Sequence, residues 1–209
     1  MLRRNFAGFT TNLGAVFPGQ TSISFKGFNK GMQWTMTQND VDAIRRITPN
    51  IEYSTTICQN YGTIQYGTQS KQAQIIGYEP DFSKILLPVI YSGRVLNESD
   101  ESGSRKVALI GKNIAAELFG TEEPVGKFIC AKGIYFLVAG VIGQTSEVNI
   151  GGRYDESVII PSSTFRRAYN WGNQVNFFMY TADAGHAPSE LKPYIIRAIC
   201  ANHPISPED

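Results

Sequence analysis

Apolar positions recur at helical spacing in two stretches of this chain. Val41, Ile44 and Ile47 share one face, and they follow a Thr37 hydroxyl with the Asp40 carboxylate three residues on, the pattern of a capped helix start. This predicts a helix from about Gln38 to Thr48, stopped by Pro49-Asn50. Leu191, Ile195, Ala198 and Ile199 repeat the pattern and predict a second helix over 188–201, with Pro193 placed in its first turn, where a missing N–H is tolerated. Between these helices the pattern changes to short runs rich in Ile, Tyr and Thr. Runs at 51–58, 61–66 and 72–77, separated by turn residues at Gln59-Asn60 and 67–70, predict a strand meander. Residues 1–36, punctuated by Gly8, Gly14, Pro18-Gly19, Gly27 and Gly31, predict a short helix followed by irregular strand and turn.

The middle of the chain is more sharply punctuated. Residues 97–105, with Asp100, Glu101, Gly103 and three serines, have the composition of an exposed loop. A strand over 106–110 then ends at Gly111, Asn113 is the expected cap of a helix over 114–119, and Gly120 is its expected stop. Strands over 127–131 and 135–142 are joined through Lys132-Gly133, and 143–155 reads as a polar loop. A strand over 157–160 precedes Pro161 and a short helix beginning at Ser162-Ser163-Thr164. A last strand covers 174–181, and 202–209 is not regular structure.

The 209 residues are 42% hydrophobic and 18% charged, which describes a globular chain of one large domain or two small ones. Nineteen Lys and Arg against eighteen Asp and Glu leave a net charge of +1, without the positive excess that drives nucleic-acid binding. The longest apolar stretches, 85–90 and 134–142, fall well short of the roughly 20 residues a bilayer-crossing helix needs. Met1-Leu2-Arg3-Arg4 has the charge of a secretory leader, but Asn5-Phe6-Ala7-Gly8 does not continue as an apolar core. The expectation is a cytosolic protein, or one whose targeting information lies outside this chain. Cys58, Cys130 and Cys200 are odd in number and widely spaced, so they predict neither a disulfide framework nor a zinc site, and each reads as a small buried hydrophobe.

Candidate chemistry is sparse. Gly120 to Lys127 looks like a phosphate loop, but five residues separate its glycines, Phe128 replaces the metal-binding hydroxyl, and Glu122 and Glu123 would face the phosphates. A helix stop and turn is the better reading. His203 precedes Pro204 and His186 lies two residues before Pro188, each near a helix end, and neither has metal-ligand spacing. They read as surface or cap-proximal groups, and no nucleophile elbow supports a triad with them. The neighbouring carboxylates Asp100-Glu101, Glu122-Glu123 and Glu208-Asp209 read as solvated loop charges. Twelve Phe, ten Tyr and two Trp could furnish a sugar- or peptide-binding platform, although most of these rings sit in strand patterns that predict core. No catalytic, cofactor-binding or metal residue is assigned, and no cofactor is expected.

In the middle region Val107-Ala-Leu-Ile-Gly111, Ala115-Ala-Glu-Leu-Phe-Gly120, Pro124-Val-Gly-Lys127 and Tyr135-Phe-Leu-Val-Ala-Gly-Val141 resemble, in order and spacing, the extracytoplasmic domain of MacB-type ABC transporter permeases. Pro18-Gly-Gln-Thr-Ser22, Lys26-Gly27, Ile76-Gly-Tyr78 and Ser92-Gly-Arg94 extend the resemblance outward, and 199–209 resembles the run before the family's second transmembrane helix. The resemblance implies a periplasmic domain of a bacterial inner-membrane permease, inserted between two transmembrane helices, with ATP hydrolysis on a separate cytoplasmic part. It implies an α+β fold: a porter-like α/β subdomain built from 31–80 and 173–209, an inserted and mostly β subdomain over 81–172, and a membrane-proximal entry segment over 1–30. It also implies partners: the permease's own transmembrane helices and ATPase, a second permease copy, a periplasmic adaptor protein and an outer-membrane exit duct. The loops 97–105 and 145–155 are the expected adaptor contacts. Two rival readings are a secreted module binding sugar or peptide and a hydrolase with a dispersed triad.

Overall fold

The computed structural model describes residues 12–144 and 153–209. The fold is a mixed α and β one in which strands dominate, as the element pattern predicts. The chain divides into two compact units: unit 1 comprises Met1–Thr56 and Asn173–Asp209, and unit 2 comprises Ile57–Gly172. The division expected at residue 80 falls inside unit 2, just after its second strand.

Unit 1 is built from the two ends of the chain. Strand β1 (Leu13–Val16) runs antiparallel to β11 (Phe177–Ala182), with Leu13 opposite Thr181 and Val16 opposite Phe178. The other side of β11 adjoins β3 (Ile51–Tyr66), whose first six residues belong to this unit. Flanked on both sides, all of β11 is buried, so the weak alternation in its sequence reflects burial on both faces. Helix α1 (Gln38–Ile47) buries Val41, Ala43 and Ile44, and α6 (Pro188–Asn202) buries Leu191, Ile195, Ala198 and Ile199. The two helices pack on each other, and α6 also covers β1 and β11. A short ladder pairs β2 (Met36–Thr37) with β10 (Gln174–Val175). One expectation changes here. Helix α6 starts at Pro188, so Pro193 lies beyond its first turn, on the exposed side where water can serve the backbone group that loses its N–H partner. Residues 13–16 are strand, in keeping with the irregular strand and turn expected after a short helix, and residues 1–11 ahead of them lie outside the described residues.

Unit 2 holds most of the strands. β3 continues without a break past Gln59-Asn60, where the sequence predicts a turn, because its pairing with β4 (Gln69–Tyr78) runs uninterrupted from Ile57–Tyr78 to Tyr66–Gln69. The turn of this hairpin is only Gly67-Thr68, with Gly67 at φ 56° supplying the left-handed conformation. Next to β4 come β9 (Ser157–Pro161, parallel), β6 (Val107–Gly111, antiparallel to β9) and β8 (Ile134–Gly143, parallel to β6). Strand β7 (Phe128–Ala131) pairs with β8 and also with β3 at Ile64–Ala131, which closes these strands into a ring. Its interior holds Ile64, Ala73, Ile129, Ala131, Phe136 and Val138, all nearly inaccessible. Strand β5 (Val89–Gly93) lies beyond β7 on the same edge of β8.

The helices of unit 2 are α2 (Phe82–Leu86), α3 (Glu98–Ser102), α4 (Lys112–Phe119) and α5 (Ser162–Ala168). Helix α4 is capped by Gly111, not by Asn113 as its side chain suggests. A β-carbon at Gly111 would meet the Asp155 and Tyr154 carbonyls at 2.1 and 2.2 Å, so close backbone approach selects glycine there. The expected exposed loop over 97–105 contains α3, and the expected polar loop over 143–155 runs into a 3-10 turn at Tyr154–Glu156. Residues 145–152 of that loop lie outside the described residues. Among the described residues, no helix is long and apolar enough to cross a membrane.

Candidate coupling sites

The most developed polar site of unit 1 forms where the end of α6 meets the start of α1. Asp40, with no solvent exposure, accepts hydrogen bonds at Oδ2 from the Thr37 N–H at 2.8 Å and the Thr37 hydroxyl at 2.9 Å. The same carboxylate accepts from Asn202 Nδ2 at 2.9 Å on Oδ1, and pairs with His203 Nε2 at 2.9 Å on Oδ2. Burial pushes the Asp40 carboxyl up, but the hydrogen bonds from His203, Asn202 and Thr37 outweigh it and hold the group below its ordinary value. The His203 imidazole also stands 5.2 Å from the Trp34 ring. Sequence reasoning identifies Asp40 as a cap residue and His203 as cap-proximal, and His203 is indeed the C-cap of α6. That the two meet is a tertiary fact between residues 163 positions apart, which no local pattern carries. A second fastening joins the chain's last residue to an early segment: Asp209 accepts from the Ser22 N–H and hydroxyl.

Unit 2 contains a second carboxylate cluster, and it overturns the reading of Asp100 and Glu101 as solvated loop charges. Asp100 is fully buried, accepts from the Asn97 N–H at 3.0 Å and takes both terminal nitrogens of Arg94, at 2.6 and 3.2 Å. Arg105 lies 3.9 Å away. Burial alone raises this carboxyl, and Arg94, Asn97 and Arg105 together bring it below its ordinary value. Glu101 points instead at α5, where its Oε1 accepts the Ser163 N–H at 3.0 Å. Its carboxyl is pushed up to about 7 by burial and by the nearby Glu79 charge, against the pull of Ser163 and Arg166. The capping signal Asn97-x-x-Asp100 was present in the sequence, but the composition of 97–105 masked it.

The remaining predicted residues fall as follows. Cys58 is buried, whereas Cys130 and Cys200 are partly exposed. His186 pairs locally with Asp183 near the surface. Glu122 accepts from Lys127 Nζ and the Tyr66 hydroxyl, both at 2.9 Å, and Glu123 accepts from the Ser92 hydroxyl at 2.6 Å, so the glutamates of the phosphate-loop look-alike engage its own surroundings. Several aromatic rings are outward rather than core. Tyr61, Phe128 and Tyr135 are each 60% exposed or more. The strand register puts them on one face of β3, β7 and β8 together with Thr63, Gln65 and Cys130. That face carries aromatic and uncharged polar side chains, the composition of a contact surface rather than of a reactive centre.

The model of the MacB-like periplasmic core domain matches residues 1–198. The chain is 27% identical over 161 residues to the macrolide export ATP-binding/permease protein MacB of Syntrophobacter fumaroxidans, covering 77% of this chain and 22% of that protein. It is 26% identical over 170 residues to the pyoverdine export ATP-binding/permease protein PvdT of Pseudomonas aeruginosa, covering 79% of this chain and 26% of that protein. The chain thus spans about a quarter of these relatives. Among solved structures, the periplasmic region of MacB from Actinobacillus actinomycetemcomitans superposes with a TM-score of 0.78 at 18% identity, covering 98% of this chain and 90% of that one. The extracellular domain of the transporter YknZ from Gram-positive bacteria has a TM-score of 0.75 at 15% identity, covering 92% and 96%. The chain belongs to the MacB-like periplasmic core domain family, and it is the extracytoplasmic domain of a MacB-like ABC transporter permease.

Proposed function

We propose that this domain transmits ATP-driven conformational change across the membrane to drive export of a substrate. Membership of the periplasmic core domain family is the observation that carries this reading. In it, transmembrane helices flank the domain, hydrolysis occurs on a cytoplasmic ATPase, and the domains of two permease copies open and shut against each other. The Asp40 site supports it, because a helix end pulled by a membrane segment must be fastened to its neighbour to pass displacement on, and a buried, multiply bonded carboxylate is a stiff fastening. A periplasmic adaptor, with an outer-membrane duct beyond it, is the proposed partner of the mostly β unit, where the face bearing Tyr61, Phe128 and Tyr135 suits protein contact. The assignment of a porter-like role to unit 1 and an adaptor-facing role to unit 2 is part of the proposal. Translating the native gene on both sides of this segment tests the reading. Apolar helices of roughly 20 residues on each flank are expected; a stop codon at one end and a cleavable leader at the other would remove it.

The same exposed aromatic face favours one second reading, a module that binds sugar or peptide. Titration of the chain with neutral oligosaccharides and peptides separates the two: the export reading expects no saturable binding that Tyr135→Ala abolishes, and the binding-module reading requires it.

A further inference from the structure

In unit 2, helix α3 is tied to the first turn of α5 at several points. Glu101 Oε1 accepts the Ser163 N–H at 3.0 Å, and the Ser163 hydroxyl donates back to the Glu101 carbonyl at 2.6 Å. The Thr164 hydroxyl donates to the Arg105 carbonyl at 2.8 Å. The second carboxyl oxygen, Glu101 Oε2, is buried and has no hydrogen-bond partner. A charged oxygen in that position loses its hydration without replacement, whereas a neutral carboxyl loses far less.

The charges around it do not compensate. Glu79, just after β4, repels the carboxylate, and Arg166, on α5, attracts it while donating to the Ser162 hydroxyl at 2.9 Å. On its own element, Asp100 is matched by Arg94 and Arg105, and Glu98 adds a further negative charge at the helix start. Burial and Glu79 prevail, which is why the carboxyl titrates at about 7 instead of at 4.5.

We propose that Glu101 is a protonation-controlled clasp, holding α3 on α5 when it carries a proton and letting the 97–105 segment loosen when it ionises. The inference rests on the geometry of unit 2 alone and does not depend on the export reading. In the open segment Glu101 meets water and returns to its ordinary value of 4.5. The raised value in the closed state therefore contributes stability that is complete below about 4.5 and is lost as pH rises through about 7.

Hydrogen exchange of the whole chain, corrected for intrinsic rates, reads this directly. Amide protection over 98–105 is expected to fall on the order of tenfold between pH 5.5 and pH 8. Glu101→Gln, which fixes the neutral form, is expected to keep its protection at pH 8 and to lose the pH dependence. A flat wild-type profile, or a variant that retains the wild-type slope, overturns the proposal. Should the variant fail to fold, the carbon-13 shift of the Glu101 carboxyl in the native chain decides instead: a midpoint near 7 upholds the clasp, and one near 4.5 overturns it.

Discussion

Asp40 and Glu101 are carboxylates in different units with opposite responses to acid. Asp40 is held below its ordinary value of 3.8 by four hydrogen bonds, so the stability it contributes is present above that value and is lost as pH falls through its lowered one. Glu101 is raised, and its contribution grows as pH falls from about 7 toward 4.5. Removing the Asp40 carboxylate leaves Asn202, His203 and the first turn of α1 without their acceptor. Asp40→Ala is therefore expected to lower unfolding free energy by about 2–4 kcal/mol at pH 7, measured by urea denaturation. His203→Ala should cost less, because Thr37 and Asn202 still satisfy the carboxylate. Equal losses from the two substitutions would show that the site is not organised around Asp40. The cap role of Asp40 was legible from its spacing to Thr37, but its role as a junction depends on contacts that only the folded chain makes.

At the scale of elements, the helices were the most legible part, since Val41 and Ile44, and Leu191, Ile195 and Ile199, repeat at helical spacing and are buried as that spacing requires. Strand boundaries were less so. Gln59 and Asn60 have turn chemistry, yet ten consecutive residue pairs with β4 carry the strand through them, a tertiary constraint that outweighs local preference. The helix inside 97–105 is hidden in the sequence because a segment rich in Ser, Asp and Glu reads as solvent-facing until its Arg94 and Ser163 partners are in place. The start of α4 differs from the expected one because Asn113 has the better capping side chain, while the deciding fact is the backbone crowding at Gly111. Gly111→Ala is expected to destabilise unit 2 by about 2 kcal/mol or more, whereas Asn113→Ala should change it by less than about 0.5 kcal/mol. Thermal unfolding of both variants checks this; a larger effect at Asn113 would contradict the account of the cap. Core packing predicts a further difference: Phe136→Ala, inside the strand ring, should lose about 3–5 kcal/mol, while Phe128→Ala on the exposed face of the same hairpin should be near neutral.

For the molecule as a whole, the family signature in 107–141 was the most informative feature of the sequence, and the matched fold agrees with it. The carboxylates the sequence singles out serve internal contacts: Asp40 joins two helices, Asp100 satisfies two arginines and Glu122 pairs with Lys127. On the proposed reading, in which the domain moves rather than reacts, the chain alone is expected to hydrolyse no nucleotide in a phosphate-release assay. The proposed role in transmission is tested most directly in the full permease. A spin label at Tyr194→Cys on the exposed side of α6, with Cys130 and Cys200 replaced by Ser, reports the distance between the domains of two permease copies. The account predicts that this distance distribution shifts when ATP binds and returns after hydrolysis; a distribution that stays the same with ATP, with ADP and without nucleotide would contradict it.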